Sequence, residues 1–128
     1  MKKILAEISL GELADKITIL EIKMKKIVDK ESLHNLKKEY QSLKAIDLKD
    51  LDLDKFKKLF NELKLINERL WDIENEKRLL EKNSDFSDKF VKVSRDVHFM
   101  NDKRAKVKKK INRSFGSNIE EVKEYTNY

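Results

Sequence analysis

Two long apolar seams constrain this chain more than any other feature. Phe56, Leu59, Leu63, Ile66, Leu70, Ile73, Lys77 and Leu80 step by three and four residues, and so do Phe86, Phe90, Val93, Val97, Met100, Arg104, Val107 and Ile111. Such steps lay side chains along one stripe of an α-helix, whereas strand side chains alternate with period two. Only Asn83-Ser84-Asp85 interrupts the seams. A break that short makes the flanking helices antiparallel neighbours. The spacing predicts helices over 54–82 and 85–114, each ~43 Å long at 1.5 Å per residue.

A third seam runs earlier, through Leu10, Leu13, Ile17, Leu20, Met24 and Ile27. Ser9 precedes it with Glu12 three residues on, the pattern of a capping box, and Ile8 and Leu13 occupy the positions of a hydrophobic staple. This predicts a helix over 9–28. The next regular set is Leu33, Leu36, Tyr40 and Leu43. The six-residue step from Ile27 to Leu33 fits no heptad, and Asp29 and Ser32 are both suited to capping. Segment 32–46 is therefore either a kinked continuation of the first helix or a fourth helix turned back on it.

Composition agrees with long amphipathic helices. The chain has 128 residues, no proline, two glycines and 42 % charged residues, against about 25 % charged in an average protein. High charge is also a mark of disorder, but a solvated coil has no reason to keep apolar residues at heptad spacing. The length suits one domain. The fold expected is all-α: an elongated antiparallel bundle of three long helices, with a kink in the first or its division into two left open.

Several function classes lose support. Without cysteine there is no disulfide framework or thiolate metal site, and His34 and His98 are too few for a histidine-based one. Asp50, Asp52 and Asp54 have the spacing of a calcium loop, but Lys55 stands where that loop needs glycine and Asn61 where it needs a bidentate glutamate. The bland alternative is an acidic linker in which Asp54 caps the next helix, and no metal or cofactor is expected. Met1-Lys2-Lys3-Ile4-Leu5 opens like a signal peptide until Glu7 and Glu12 interrupt it. No run reaches the ~18 apolar residues of a membrane span. A soluble cytoplasmic protein is expected. No nucleophile–base pair, glycine-rich phosphate loop or zinc spacing is present.

The remaining interest lies in polar residues on apolar stripes. Lys77 and Arg104 occupy seam positions. With the turn near 84–85, Arg104 falls opposite Ile66 and Asn67, with Asn101 one turn away and Glu74 further along. A buried arginine must find a carboxylate or reach water, and Asp15 or Glu21 is the expected counter-charge. Asp15, Lys16, Asn67, Glu74, Asn101 and Arg104 form the candidate ligand site; no residue is assigned a catalytic role. Ile19, Ile22, Leu65, Trp71, Leu79, Val91 and Phe99 lie off the seams. A second apolar face of that kind calls for a partner, either segment 33–46 or a second subunit, so these residues are the candidate homodimer interface.

Lys103 to Arg113 hold seven basic residues in eleven within a chain of net charge +6. A basic helix can track a phosphate backbone. No nucleic-acid motif surrounds this one, and lysines near a helix C-terminus also complement its dipole. A solvated basic face is expected, partly neutralised by Glu120, Glu121 and Glu124. Ser117 with Glu120 repeats the capping-box pattern and predicts one or two further helical turns over 118–125.

The motifs Ser9-Leu-Gly-Glu-Leu13 with Asp15-Lys-Ile-Thr-Ile-Leu-Glu-Ile-Lys23, Asn67 through Leu70-Trp-Asp-Ile-Glu74, Asn101-Asp-Lys-Arg-Ala105 and Lys109-Lys-Ile-Asn112 resemble a family of short bacterial helical proteins known only as a domain of unknown function. The resemblance implies a self-standing domain and brings no activity, ligand or catalytic residue. The function expected is a non-enzymatic helical interaction or structural module that self-associates. The alternatives are a binder of a small anionic ligand, or an enzyme, with its site between helices, and a weak nucleic-acid binder through 103–113.

Overall fold

A computed structural model describes residues 1–128. It is all-helical, with α1 (Leu10–Lys26), α2 (Lys30–Lys44), α3 (Leu53–Lys82) and α4 (Asp88–Ser114). The expectation of three long helices is corrected to four, because the first apolar region is two helices rather than one kinked helix. At Ile27 the backbone turns extended, with φ −90° and ψ 133°. Asp29 then caps α2, its Oδ2 accepting from the Ser32 amide at 2.9 Å. Helix α2 runs back along α1, bringing the Tyr40 hydroxyl within 3.5 Å of Glu21 Oε2. It packs on α1 and on no other helix, and none of its residues is fully buried.

That return lets α1 and α3 point the same way. Ala14 packs with Leu63, and Thr18 meets Asn67, so α1 and α3 are parallel. Gly11 meets Asn112 while Asp15 meets Arg104, so α4 is antiparallel to both. Ala14, Leu59, Leu63, Val107 and Ile111 form the core where the three helices meet. A second cluster of Leu70, Ile73 and Val93, flanked by Leu80 and Val97, is built by α3 and α4 alone. The far end of the bundle is therefore a two-helix arm.

The helix ends refine the expected boundaries. Asp52, not Asp54, caps α3, accepting from the Lys55 amide at 3.1 Å. Helix α4 starts after Ser87 rather than at Asp85, whose carboxylate instead accepts from the Ser87 amide at 3.1 Å. At the α3–α4 turn, the Ser84 and Asp85 amides donate to the Glu81 and Leu80 carbonyls, with Ser84 at φ 51°. This is a Schellman ending. Gly116, φ 64°, ends α4 in the same way, with the Ser117 amide on the Asn112 carbonyl. Residues 118–125 add no helix. Ser117 makes no capping box: its hydroxyl accepts from the Leu10 amide and donates to the Ile119 carbonyl.

Candidate functional site

The centre of the molecule is a polar cluster inside the three-helix body. Asp15 is 1 % exposed. Arg104 grips it with two parallel hydrogen bonds, Nε to Oδ1 at 2.9 Å and Nη2 to Oδ2 at 2.5 Å. Asn67 Nδ2 donates to Asp15 Oδ1 at 2.9 Å and to Thr18 Oγ1 at 2.8 Å. The Thr18 hydroxyl donates to the Asp15 carbonyl at 2.8 Å. Three helices thus each contribute to one closed network, and the planar guanidinium meets the carboxylate in its strongest geometry. Of the two counter-charges expected for Arg104, Asp15 is the partner; Glu21 pairs with Lys64 at 3.0 Å.

Lys108 extends the network, although the basic run that contains it reads as a solvated face. Its side chain is 7 % exposed, with Nζ at 2.8 Å from both Glu12 and Glu121 and 3.9 Å from Asp15. The signal was its place four residues after Arg104, one helical turn along the same face. Glu12, read as half of a capping box, sends its carboxylate to Lys108 instead. The other half holds, since Ser9 Oγ accepts from the Glu12 amide at 3.1 Å.

One turn further, the helices touch through backbone. The Gly11 amide donates to Asn112 Oδ1 at 2.6 Å. A methyl group on Gly11 would stand 2.5 Å from the Lys108 carbonyl oxygen and 2.9 Å from Asn112 Oδ1. Glycine is what allows α1 and α4 to come close enough for Asp15 to reach Arg104.

The electrostatics follow from this enclosure. Burial by itself pushes the Asp15 carboxyl up; the hydrogen bonds from Arg104 and Asn67, with the charges of Arg104 and Lys108, outweigh it and hold the carboxyl below its ordinary value. The Asp15 hydrogen bond raises Arg104. Burial pushes the Lys108 ammonium down, but bonds to Glu12 and Glu121 and the charges of Asp15 and Glu12 raise it overall. All three groups stay charged at neutral pH.

The predicted site residues divide. Asp15, Asn67 and Arg104 meet in the network. Glu74 and Asn101 stand beside it, lining with Asn67 and Arg104 an open groove of about 340 Å³ floored by Ile19, Ile22, Leu70 and Trp71. Lys16 does not belong: it is exposed, with only a 3.9 Å contact to Glu12. The expected interface residues divide as well. Ile19, Ile22 and Trp71 belong to the groove, and Ile22 is buried within the single chain at 3 % exposed. Phe99 is covered in part by Arg95 and Tyr128 of its own chain. Leu65, Leu79 and Val91 remain open to solvent.

A family model described as a family of unknown function, DUF6165, matches residues 3–128. The chain belongs to the DUF6165 family. No curated protein and no solved structure matches this DUF6165 chain. No helix in it is long and apolar enough to cross a membrane.

Proposed function

We propose that this chain is a non-enzymatic helical interaction module that self-associates through its α3–α4 arm. The observation that carries this reading is the arm tip. Leu79, Phe86 and Val91 all lie within a few residues of the turn and are 57 %, 58 % and 52 % exposed. No third helix reaches them, because the distal core is built by α3 and α4 alone. A two-helix hairpin has a narrow core, and a second copy laid against it completes a four-helix arrangement. The central charges support a structural role, since Asp15 is paired with Arg104, and Lys108 with Glu12 and Glu121, all within the chain. The composition fits a cytoplasmic setting.

The test is molar mass by light scattering after size exclusion at tens of micromolar chain. The expected result is twice 15.3 kDa. Leu79→Asp with Val91→Asp should return the chain to a monomer of unchanged helicity. A monomeric parent chain would overturn the reading.

A second reading rests on Arg104. Two of its N–H donors are spent on Asp15, and its side chain is 28 % exposed where it lines the groove. A small anion with an apolar body would meet the remaining donors above Ile19 and Trp71. The intrinsic fluorescence of Trp71 reports directly on such a ligand, and Asn101→Leu should weaken the response.

A further inference from the structure

The last eleven residues form no helix, yet they do not leave the body. They run back along α4 from its C-terminal end towards the arm. Glu120 lies 3.7 Å from Arg113, and Glu121 accepts from Lys108 at 2.8 Å. The Tyr128 ring then rests edge-on against His98 and Phe99, with centroids 5.2 and 5.3 Å away, and its hydroxyl donates to Asp102. The contacts are specific in chemistry but shallow. Tyr128 is 73 % exposed, and Glu120, Glu121 and Arg113 keep much of their hydration. The Arg113–Glu120 pair, exposed at both ends, holds the segment weakly, whereas Glu121 reaches a lysine that is itself buried.

We propose that this face of α4 is a docking surface for an extended acidic segment of a partner protein, which carries a tyrosine downstream of its carboxylates, and that residues 118–128 occupy the surface in cis. The tail displays the chemistry the surface accepts: carboxylates on Lys108 and Arg113, and seven residues after Glu121 a phenol between two aromatic rings and a carboxylate acceptor. The aromatic end is of mixed charge, with Asp96 and Asp102 among Arg69, Lys103 and Lys106. The phenol's hydrogen bond to the Asp102 carboxylate, which a phosphate cannot make, is therefore what favours a tyrosine-bearing peptide over a nucleic acid. A tethered segment has an effective concentration on the order of millimolar, so even weak docking in cis competes with a partner in trans. The proposal names a partner for an interaction module and is separable from self-association, since a monomeric chain can still bind the peptide.

The test uses the full chain and a fluorescent peptide with the sequence of residues 117–128, followed by anisotropy. Glu120→Lys, Glu121→Lys and Tyr128→Ala together release the tail and touch only exposed side chains. The released chain should bind the peptide at least fivefold more tightly than the parent, and Tyr128→Ala alone should shift affinity in the same direction by less. Adding Asp102→Lys to the released chain should abolish peptide binding. A released chain of native helicity that binds the peptide no better than the parent overturns the proposal. So does one that prefers an oligothymidylate of equal charge to the peptide.

Discussion

Arg104 holds Asp15 across 89 positions of sequence, with two hydrogen bonds of 2.9 and 2.5 Å joining α4 to α1. The two ends of this pair are not equally trapped. The Asp15 side chain is 2 % exposed and the Arg104 side chain 28 %, so the arginine can turn to water and the carboxylate cannot. Arg104→Met should therefore cost more than Asp15→Leu, about 3 kcal/mol, the scale for stranding one member of a buried pair. Asp15→Leu with Arg104→Met should be more stable than Arg104→Met alone. Urea denaturation of the three variants checks the order, and equal losses in both single variants would contradict the asymmetry.

Acid should unfold the protein partly through this pair. The folded Asp15 carboxyl titrates below its ordinary value, so the unfolded chain binds its proton first as the pH drops. The stability Asp15 contributes is complete above about pH 5 and is lost as the pH falls through the folded value. Asp15→Asn should lower the plateau near neutrality and flatten the acid limb of a plot of stability against pH. Lys108 has the opposite sign. Its folded ammonium is raised, so its contribution is present below about pH 10 and is lost as the pH climbs through the folded value.

Gly11→Ala separates helix propensity from packing. Alanine is the better helix former by about 1 kcal/mol, so an isolated α1 peptide should gain helicity. In the protein the added methyl meets the Lys108 carbonyl at 2.5 Å and forces α1 away from α4. A net loss of about 1–3 kcal/mol is expected. Circular dichroism of the peptide and thermal melts of the protein should move in opposite directions.

Ser84→Gly should stabilise. Ser84 holds φ 51° to complete the Schellman ending of α3. A side chain at such a position costs about 1–2 kcal/mol, while glycine gives back part of that gain through the greater freedom of the unfolded chain. A net gain of about 0.5–1 kcal/mol is expected, seen as a raised melting temperature with unchanged helicity. No gain would mean that the Ser84 hydroxyl contributes something its backbone position does not show.

The seams of α3 and α4 were legible because a heptad needs only local spacing. Their buried apolar residues, Leu59, Leu63, Leu70, Ile73, Val93, Val107 and Ile111, all lie on the predicted stripes; the buried polar residues Asn67, Lys108 and Asn112 do not. Arg104 and Asn67 were legible for a related reason: a short turn between antiparallel helices sets their register, so polar residues on or beside facing stripes can be paired by counting. Asp15 could be offered as the partner only beside Glu21, since both lie on α1 and nothing local says which of its faces meets α4. Lys108 is masked by its neighbours: within a run of lysines composition does not distinguish the one that turns inward, and only its four-residue spacing from Arg104 marks it.

The sequence by itself determined that the chain is helical, where most helices begin and end, and that Arg104 required a counter-charge. These follow from side-chain period, caps and the cost of an unpaired buried ion, all of which act over a few residues or on one group. Only the tertiary structure decided that residues 30–44 turn back as a separate helix, that 118–128 lie along α4 without forming helix, and that Asp15 rather than Glu21 meets Arg104. Those outcomes depend on which surfaces come together, and that contact runs through the approach of Gly11 to Lys108 and Asn112, some hundred positions away in sequence.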